Sequence, residues 1–255
     1  MDPKWIEASQ NWLDEARLHA CKYFRSDLQV TDKGDSSPVT SADKLIESLL
    51  RERIRSEFPD HGIIGEEEAN ENLISKYRWV IDPIDGTNNY ALACSFCAIS
   101  LALLFDGVPV YGFIYDHSTK DLLEGGVGYG LFRNQKKIDR DATMVDAQTM
   151  IGLHFPMSSK QLEKLAPLLS KYRVRCIGSG ALMAAYVATG YLTGVIDYRV
   201  KVWDIAAAYA LCASVGLKWV FIENSPFPLK KFHPQMNFSP YHAGAESFFD
   251  ELRHL

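Results

Sequence analysis

Apolar and polar positions over the first 60 residues repeat at the spacing of amphipathic helices. The segment 3–25 predicts a first helix. A second is predicted to begin at Thr40–Asp43, where an acid follows a hydroxyl by three residues. Pro59 is expected to follow the end of this second helix closely. The apolar positions of the two predicted faces are Trp5, Ile6, Trp12, Leu13, Ala16, Ala20, Leu45, Ile46, Leu49, Leu50 and Ile54.

After residue 60 the pattern changes to short apolar or alternating runs, which are typical of strands. Turn residues separate the runs, and Asp106-Gly107 between two of them is a hairpin signal. We therefore expect an antiparallel meander that follows the two helices. Its predicted strands are 61–68, 78–82, 97–105, 108–116 and the longer segment 121–134.

From about residue 145 helical and strand patterns alternate, which is typical of α/β units. The predicted elements are a helix at 160–170, a strand at 174–178, a helix at 181–189, a strand at 194–200 and a helix at 203–215. We predict an N-terminal α+β subdomain over 1–148 and a C-terminal α/β subdomain over 149–255. The polar segment 31–38 is expected to be a loop.

Composition narrows the possible partners and the compartment. The 255 residues carry 27 basic and 32 acidic side chains, a net charge of −5, which does not favour nucleic acid as a partner. No apolar run approaches the ~18 residues of a membrane span, and the first residues do not resemble a signal peptide. The five cysteines include the pair Cys94 and Cys97, which we interpret as packing residues in a reducing, cytoplasmic setting.

Several carboxylates stand where predicted elements begin or end. Asp82 and Asp85 follow one apolar run, and Glu66 follows another. Asp204 lies among apolar residues near a helix start, and Asp43 lies in the first turn of the second helix. An acid in an apolar neighbourhood must be paired, protonated or bound to a cation. Oxygen ligands without histidine or cysteine favour Mg²⁺ first, then Mn²⁺ or Ca²⁺.

The segment after these acids predicts an anion site. Pro83 is expected to fix a turn that aims Asp82 and Asp85 to one side, with the Ile84 carbonyl between them. Gly86 permits close approach of a ligand, and Gly86–Thr87 resembles a loop that enters a helix, where free N–H groups favour anions. Metal ligands followed by such a loop indicate a phosphate held against divalent ions.

Each acid also has a purely structural interpretation. Glu67 and Glu68 fit solvated loop charges better than ligands, and Asp43 fits a helix cap equally well. Asp204 near a helix start would stabilise the helix dipole by about 0.3–1 kcal/mol. The residues taken alone therefore leave metal binding open.

Four segments resemble the inositol monophosphatase family of magnesium-dependent, lithium-sensitive phosphatases. They are PVTSAD (38–43), GEE (65–67), WVIDPIDGT (79–87) and WDIAA (203–207). The resemblance covers roughly residues 5–215 and implies a layered αβαβα sandwich that forms a homodimer. It also implies hydrolysis of a small phosphate monoester by a metal-activated water.

The resemblance assigns roles residue by residue. A first Mg²⁺ would be held by Glu66, Asp82 and the Ile84 carbonyl. A second would be held by Asp82, Asp85 and Asp204, and a weaker third would lie beside Glu66. Thr87, oriented by Asp43, would help activate the water with Glu66. The phosphate would bind the N–H groups of Gly86 and Thr87. The positions that would contact the substrate are Asp85, Gly178, Ser179, Gly180 and Asp197.

Departures from the family pattern weaken the choice of substrate more than the choice of reaction. Ser95 stands where the family usually has proline, only Gly216 remains of a usual glycine pair, and Asp197 replaces a usual glutamate. Inositol monophosphate is the expected substrate, with histidinol phosphate or a 3′-phosphonucleotide as alternatives. If the chain were a non-catalytic metal-binding scaffold, we would expect one of the metal ligands to be missing. All four carboxylates and Thr87 are present.

Overall fold

The computed structural model describes residues 3–26, 30–32, 38–139, 149–230, 232 and 238–253. Helices in these ranges are α1 (Pro3–Tyr23), α2 (Ser41–Glu57), α3 (Thr87–Ala91), α4 (Ser159–Lys171), α5 (Gly180–Ala188), α6 (Val202–Ser214) and α7 (Glu246–Leu252). The helices predicted from apolar spacing are confirmed within about two residues, the usual scatter of helix ends. In the described part of the chain, every helix is too short or too polar to span a bilayer.

The start of α2 follows the predicted capping pattern. The Thr40 side chain accepts hydrogen bonds from the N–H groups of Ala42 and Asp43, and Asp43 accepts one from the Thr40 N–H at 2.8 Å. This reciprocal arrangement satisfies donors that a helix start leaves unpaired. The expected loop over 31–38 is wrong at both ends, because β1 (Val30–Asp32) pairs antiparallel with β2 (Pro38–Thr40). Residues 33–37 lie outside the described residues.

A seven-stranded sheet contains most of the predicted meander. In spatial order its strands are β3 (Gly62–Gly65), β4 (Tyr77–Asp85), β5 (Ala98–Phe105), β6 (Val108–Asp116), β7 (Asp121–Gly126), β8 (Gly130–Arg133) and β9 (Lys136–Ile138). Asp106 and Gly107 form the predicted hairpin turn with φ of 47° and 84°, since such turns require positive φ. The predicted strand 121–134 is two strands, β7 and β8, joined at 127–129.

The expectation of a fully antiparallel meander is wrong at β3, which runs parallel to β4. The chain leaves β3 at Gly65 and returns through residues 66–76 before β4 begins, so both strands point the same way. Glu66–Glu68, which were predicted to extend the first strand, lie in this connection. The backbone N–H groups of Glu67 and Glu68 and the Glu68 carbonyl are bonded to side chains of α2, so they are not available to a neighbouring strand.

A five-stranded sheet follows in the second half of the chain. Its strands, in spatial order, are β11 (Arg173–Arg175), β10 (Met150–Leu153), β12 (Gly194–Asp197), β14 (Tyr241–Gly244) and β13 (Lys218–Phe221). The predicted strand at 174–178 is shorter, because Gly178 turns the chain toward α5 with a φ of 73°. Residues 216–255, which carried no predicted role, supply β13, β14 and α7.

The elements stack in the predicted order αβαβα. One buried cluster joins α1 and α2 to one face of the seven-stranded sheet. The opposite face packs on α5 and α6, which in turn cover the five-stranded sheet. A third cluster joins the far face of that sheet to α4 and α7. The two sheets lie on either side of residues 140–148, which lie outside the described residues, so the predicted subdomain boundary stays a prediction.

His117, directly after β6, gives the fold an acid-sensitive point. Its side chain is 2% exposed, and neither ring nitrogen has a hydrogen-bond partner. Burial, aided by the charge of Lys120, lowers the pKa of His117 to about 4. The unfolded chain therefore takes up a proton below pH ~6.5 that the folded chain refuses until about pH 4. Stability from this residue is complete above pH ~6.5 and is lost as pH falls toward 4.

We expect His117→Phe to remove this acid sensitivity while its ring keeps the contact with Phe24, whose centroid lies 4.5 Å away. Each pKa unit is worth about 1.4 kcal/mol, so between pH 7.5 and 4.5 the native chain should lose about 2–3 kcal/mol more unfolding free energy than the variant. Urea unfolding at both pH values measures this difference. Equal losses in the two proteins would contradict the assignment.

Candidate active site

Asp82 and Asp85 lie on one face of β4 because the strand contains a bulge. Asp82 pairs with Ser100 and Asp85 with Ala98, so three steps along β4 match two steps along β5. In a regular strand, residues three apart point to opposite faces, and one extra residue brings them to the same face. The turn predicted at Pro83 is therefore a bulge inside a strand, one of the few positions where a sheet tolerates proline.

Asp204 completes a cluster of three acids beneath this bulge. It lies in the first turn of α6, where its Oδ2 accepts a hydrogen bond from the Lys201 N–H at 2.7 Å. The Ser100 hydroxyl donates to the Trp203 carbonyl at 3.3 Å and ties the start of α6 to β5. One carboxylate oxygen from each of Asp82, Asp85 and Asp204 lies within 4.8 Å of the others.

The electrostatics of the cluster are unfavourable without a cation. Asp82 is 1% exposed, and its Oδ1 has no hydrogen-bond partner. Burial, followed by the charges of Glu66, Asp85 and Asp204, raises the pKa of Asp82 well above its ordinary value. Burial, followed by the charges of Asp85 and Glu66, raises the pKa of Asp204 as well. Like charges this close are stable together only with protons or a positive ion.

Asp85 divides its oxygens between structure and site. Its Oδ2 accepts hydrogen bonds from the Ser179 hydroxyl and from the Ala181 N–H at 2.8 Å, so it caps the start of α5. Burial raises the pKa of Asp85, and these hydrogen bonds oppose the rise. The Ser179 hydroxyl also accepts from the Leu182 N–H. These contacts give Ser179 a part in positioning Asp85, and its predicted substrate contact stays a prediction.

Glu66 is half-buried in the β3–β4 connection, close enough for its charge to act on Asp82 and Asp204. The fully buried pair Glu47 and Arg51 of α2, 2.8 Å apart, holds this connection. Glu47 accepts from the N–H groups of Glu67 and Glu68. Arg51 donates to backbone carbonyls in the same connection, those of Glu68 and Ala69. No motif in the sequence pointed to this pair.

Thr87 and Asp43 are brought together, although 44 positions separate them. The Thr87 hydroxyl lies 3.3 Å from Asp43 Oδ1 and 2.9 Å from the Ile84 carbonyl. Asp43 is fully buried and uses its other oxygen, Oδ2, for the cap of α2. The two interpretations of Asp43, helix cap and site residue, are therefore compatible in one geometry.

The loop at Gly86 meets the loop at Gly178 beside the cluster. Gly86 has a φ of 86°, and a side chain there would lie 3.2 Å from the Gly178 carbonyl and 3.3 Å from Ser179 Cβ. The Asn89 amide joins the two loops by donating to the carbonyls of Phe96 at 2.7 Å and Ile177 at 2.6 Å. The predicted phosphate and substrate segments are thus neighbours in the fold.

Asp197 ends β12 and is fully buried. Its Oδ1 accepts from the Arg199 N–H at 2.9 Å, and its Oδ2 lies 3.1 Å from Nδ1 of His154. No motif in the sequence points to His154, because a single histidine shows no spacing pattern. All five cysteines are free; Cys97 is buried, as the packing interpretation expects, whereas Cys94 is half-buried.

The model of the inositol monophosphatase family matches residues 2–240. The chain belongs to this family, as its motifs predicted. An inositol-1-monophosphatase of Bacillus subtilis (strain 168) is 30% identical over 256 residues, which cover 97% of this chain and 96% of the relative. A Nus factor SuhB of Pasteurella multocida is 33% identical over 199 residues, covering 75% of this chain and 74% of the relative.

Solved structures agree with the family and the fold. The extragenic suppressor protein suhB from Bartonella henselae has a TM-score of 0.85 at 26% identity, with 97% of each chain covered. The inositol monophosphatase from Anabaena (Nostoc) sp. PCC 7120 has a TM-score of 0.80 at 28% identity, covering 99% of this chain and 94% of that one. The predicted fold class and enzyme class, a phosphoric monoester hydrolase, are confirmed.

Proposed function

We propose that the chain hydrolyses a small phosphate monoester with the help of divalent cations, Mg²⁺ first, and that inositol monophosphate is its preferred substrate. The observation that carries the proposal is the cluster of Asp82, Asp85 and Asp204, whose oxygens lie within 4.8 Å. The relative from Bacillus subtilis, named an inositol-1-monophosphatase, supports the choice of substrate.

The residues present fit hard divalent cations. The ligand atoms are all oxygen, and the buried Oδ1 of Asp82 has no other partner, which favours Mg²⁺ over softer metals. Two ions would be held by Glu66, Asp82, the Ile84 carbonyl, Asp85 and Asp204. A weaker third ion would lie beside Glu66. Mn²⁺ or Ca²⁺ are alternative occupants of these positions. Such ions lower the pKa of a bound water and neutralise charge on phosphate oxygens.

The remaining site residues would orient the reactants. Asp43, 3.3 Å from the Thr87 hydroxyl, can accept its proton in a hydrogen bond. The Thr87 oxygen then keeps a lone pair with which to accept a hydrogen bond from the attacking water. The N–H groups of Gly86 and Thr87, at the start of α3, are the proposed phosphate donors, as N–H groups at helix starts lack intrahelical partners.

A substrate panel tests the proposed function. Phosphate release with Mg²⁺ should be measured from inositol-1-phosphate, histidinol phosphate, adenosine 3′,5′-bisphosphate and fructose 1,6-bisphosphate. We expect the highest kcat/KM for inositol-1-phosphate. A clear preference for another ester would replace the substrate, and no turnover of any ester with Mg²⁺ or Mn²⁺ would overturn the proposed reaction.

Three properties stay predictions: assembly as a homodimer and inhibition by lithium, both implied by the resemblance, and a cytoplasmic location, inferred from the cysteines. Sedimentation analysis of the purified chain addresses the first. The second is checked by adding millimolar Li⁺ to the same phosphate-release assay, where unchanged activity would contradict it.

A further inference from the structure

The contact between His154 and Asp197 stands out because it involves a buried acid outside the metal cluster. Asp197 is fully buried, and a buried carboxylate is costly unless it is paired. The Arg199 N–H satisfies Oδ1 at 2.9 Å. The Nδ1 of His154 lies 3.1 Å from Oδ2, within ion-pair distance. When protonated, His154 pairs with this second oxygen as an ion pair, although the two atoms do not meet hydrogen-bond geometry.

The sheet places this pair at the edge of the candidate active site. His154 directly follows β10, which runs parallel to β12 with Leu153 opposite Ile196, so His154 comes level with Asp197. A Cβ atom on Gly180 would lie 3.6 Å from Asp197 Oδ2 and 3.8 Å from Asp204 Cβ. Asp197 and Asp204, one of the three clustered acids, thus both lie beside Gly180.

The His154 ring has one anchored edge and one accessible edge. Its Nδ1 is buried against Asp197, yet 24% of the side-chain surface is exposed. The exposed part therefore belongs to the other side-chain atoms, and Nε2 is not among the buried atoms without a partner. An imidazole fixed at one nitrogen by a carboxylate and open at the other can present a defined donor to a ligand.

The negative charge of the site gives a reason for pairing Asp197 with His154. Asp197 adds a negative charge beside four other acids, and the proposed substrate is itself an anion. Burial lowers the pKa of His154, but the contact with Asp197 and the charge of Asp85 outweigh it, so the net direction is upward. A protonated His154 would cancel the charge of Asp197 and supply a hydrogen-bond donor at this end of the site.

We propose that His154 is a specificity-determining residue that contacts the alcohol part of the phosphate monoester and, through its accessible edge, donates a hydrogen bond to a substrate hydroxyl. The proposal rests on the phosphatase function proposed above and names its substrate class. The pair would select esters of polyols over esters whose alcohol carries no further hydroxyl.

Two substrates with the same ring test this proposal. Inositol-1-phosphate carries hydroxyls around its ring, and cyclohexyl phosphate carries none. We expect His154→Ala to raise KM for inositol-1-phosphate by about 10- to 100-fold, the range for a hydrogen bond to a charged group, with kcat changed little. For cyclohexyl phosphate, kcat/KM should stay the same, which also shows that the variant is folded and competent.

Two conservative variants separate direct contact from support of Asp197. In His154→Gln the amide can replace the outer nitrogen, whereas in His154→Asn it can replace only the nitrogen that faces Asp197. We expect glutamine to restore part of the lost affinity and asparagine to restore none. Recovery with asparagine alone would overturn the proposal, because His154 would then act only through Asp197. His19→Gln, in α1 of the outer layer, is the matched control and should leave kcat and KM for both substrates unchanged.

The same experiment separates failure of this proposal from failure of the proposed function. Equal effects of His154→Ala on both substrates, or no effect on either, would overturn the role of His154 and leave the phosphatase intact. Absence of turnover of both esters by the wild-type chain would refute the phosphatase function, and the specificity proposal with it.

Discussion

Replacing Asp82 with asparagine should lower kcat/KM for phosphate monoester hydrolysis by about 10³- to 10⁴-fold without unfolding the chain. Metal ions stabilise charge in such reactions by several kcal/mol, and each 1.36 kcal/mol is worth a factor of about ten in rate. Among the three clustered acids, Asp82 has a buried oxygen, Oδ1, without a protein partner, so its loss should affect cation binding most.

The thermal stability of the same variant should not fall with its activity. In cation-free buffer, Asp82→Asn removes one negative charge from a buried cluster that includes Asp85 and Asp204, so its Tm should equal or exceed that of the wild type. Glu163→Gln, an exposed acid on α4, is the control and should change neither activity nor Tm. An Asp82→Asn variant with full Mg²⁺-dependent activity would contradict the proposed role.

Replacing Arg51 with methionine should cost about 3–5 kcal/mol of unfolding free energy, because it leaves the buried Glu47 carboxylate without its counter-ion. Both side chains are 0% exposed, and their atoms are 2.8 Å apart. Activity should fall as well, since Arg51 also bonds the carbonyls of Glu68 and Ala69 beside Glu66. Urea unfolding and phosphate release measure the two effects separately.

Two further variants show whether the cost comes from the buried charge. Glu47→Gln combined with Arg51→Met keeps an acceptor for the Glu67 N–H but removes the charge, so it should recover at least half of the lost stability. Arg53→Met removes an exposed pair on the same helix, where Arg53 and Glu15 are 40% and 44% exposed, and should cost about 0–1 kcal/mol. A double variant no more stable than Arg51→Met would contradict the account.

Local sequence pattern predicted the helices well and the sheet less well. Apolar spacing and the Thr40–Asp43 cap located α1 and α2, because these signals depend on neighbours in the chain. The parallel pairing of β3 and the bulge at Pro83 depend on which strand lies alongside, and no local pattern encodes that. The layered order of the sheets came from the family resemblance.

For the site, the acids could be predicted and their supports could not. Asp82, Asp85 and Asp204 stand in apolar surroundings, which is visible in the sequence. Glu47 and Arg51 look like an ordinary surface pair four residues apart on a helix, and only tertiary packing buries them. An acid and an arginine at the buried edge of an amphipathic pattern would have been the available signal. His154 has no such signal, because β10 and β12 bring it to Asp197.

In the proposed function, the acids under the β4 bulge serve divalent-cation-dependent hydrolysis of a phosphate monoester. The most direct test is phosphate release from inositol-1-phosphate by chelator-treated protein as Mg²⁺ is added back. We predict no turnover in the chelated protein and a saturable return of activity with Mg²⁺. Turnover that persists unchanged in excess chelator would contradict the claim.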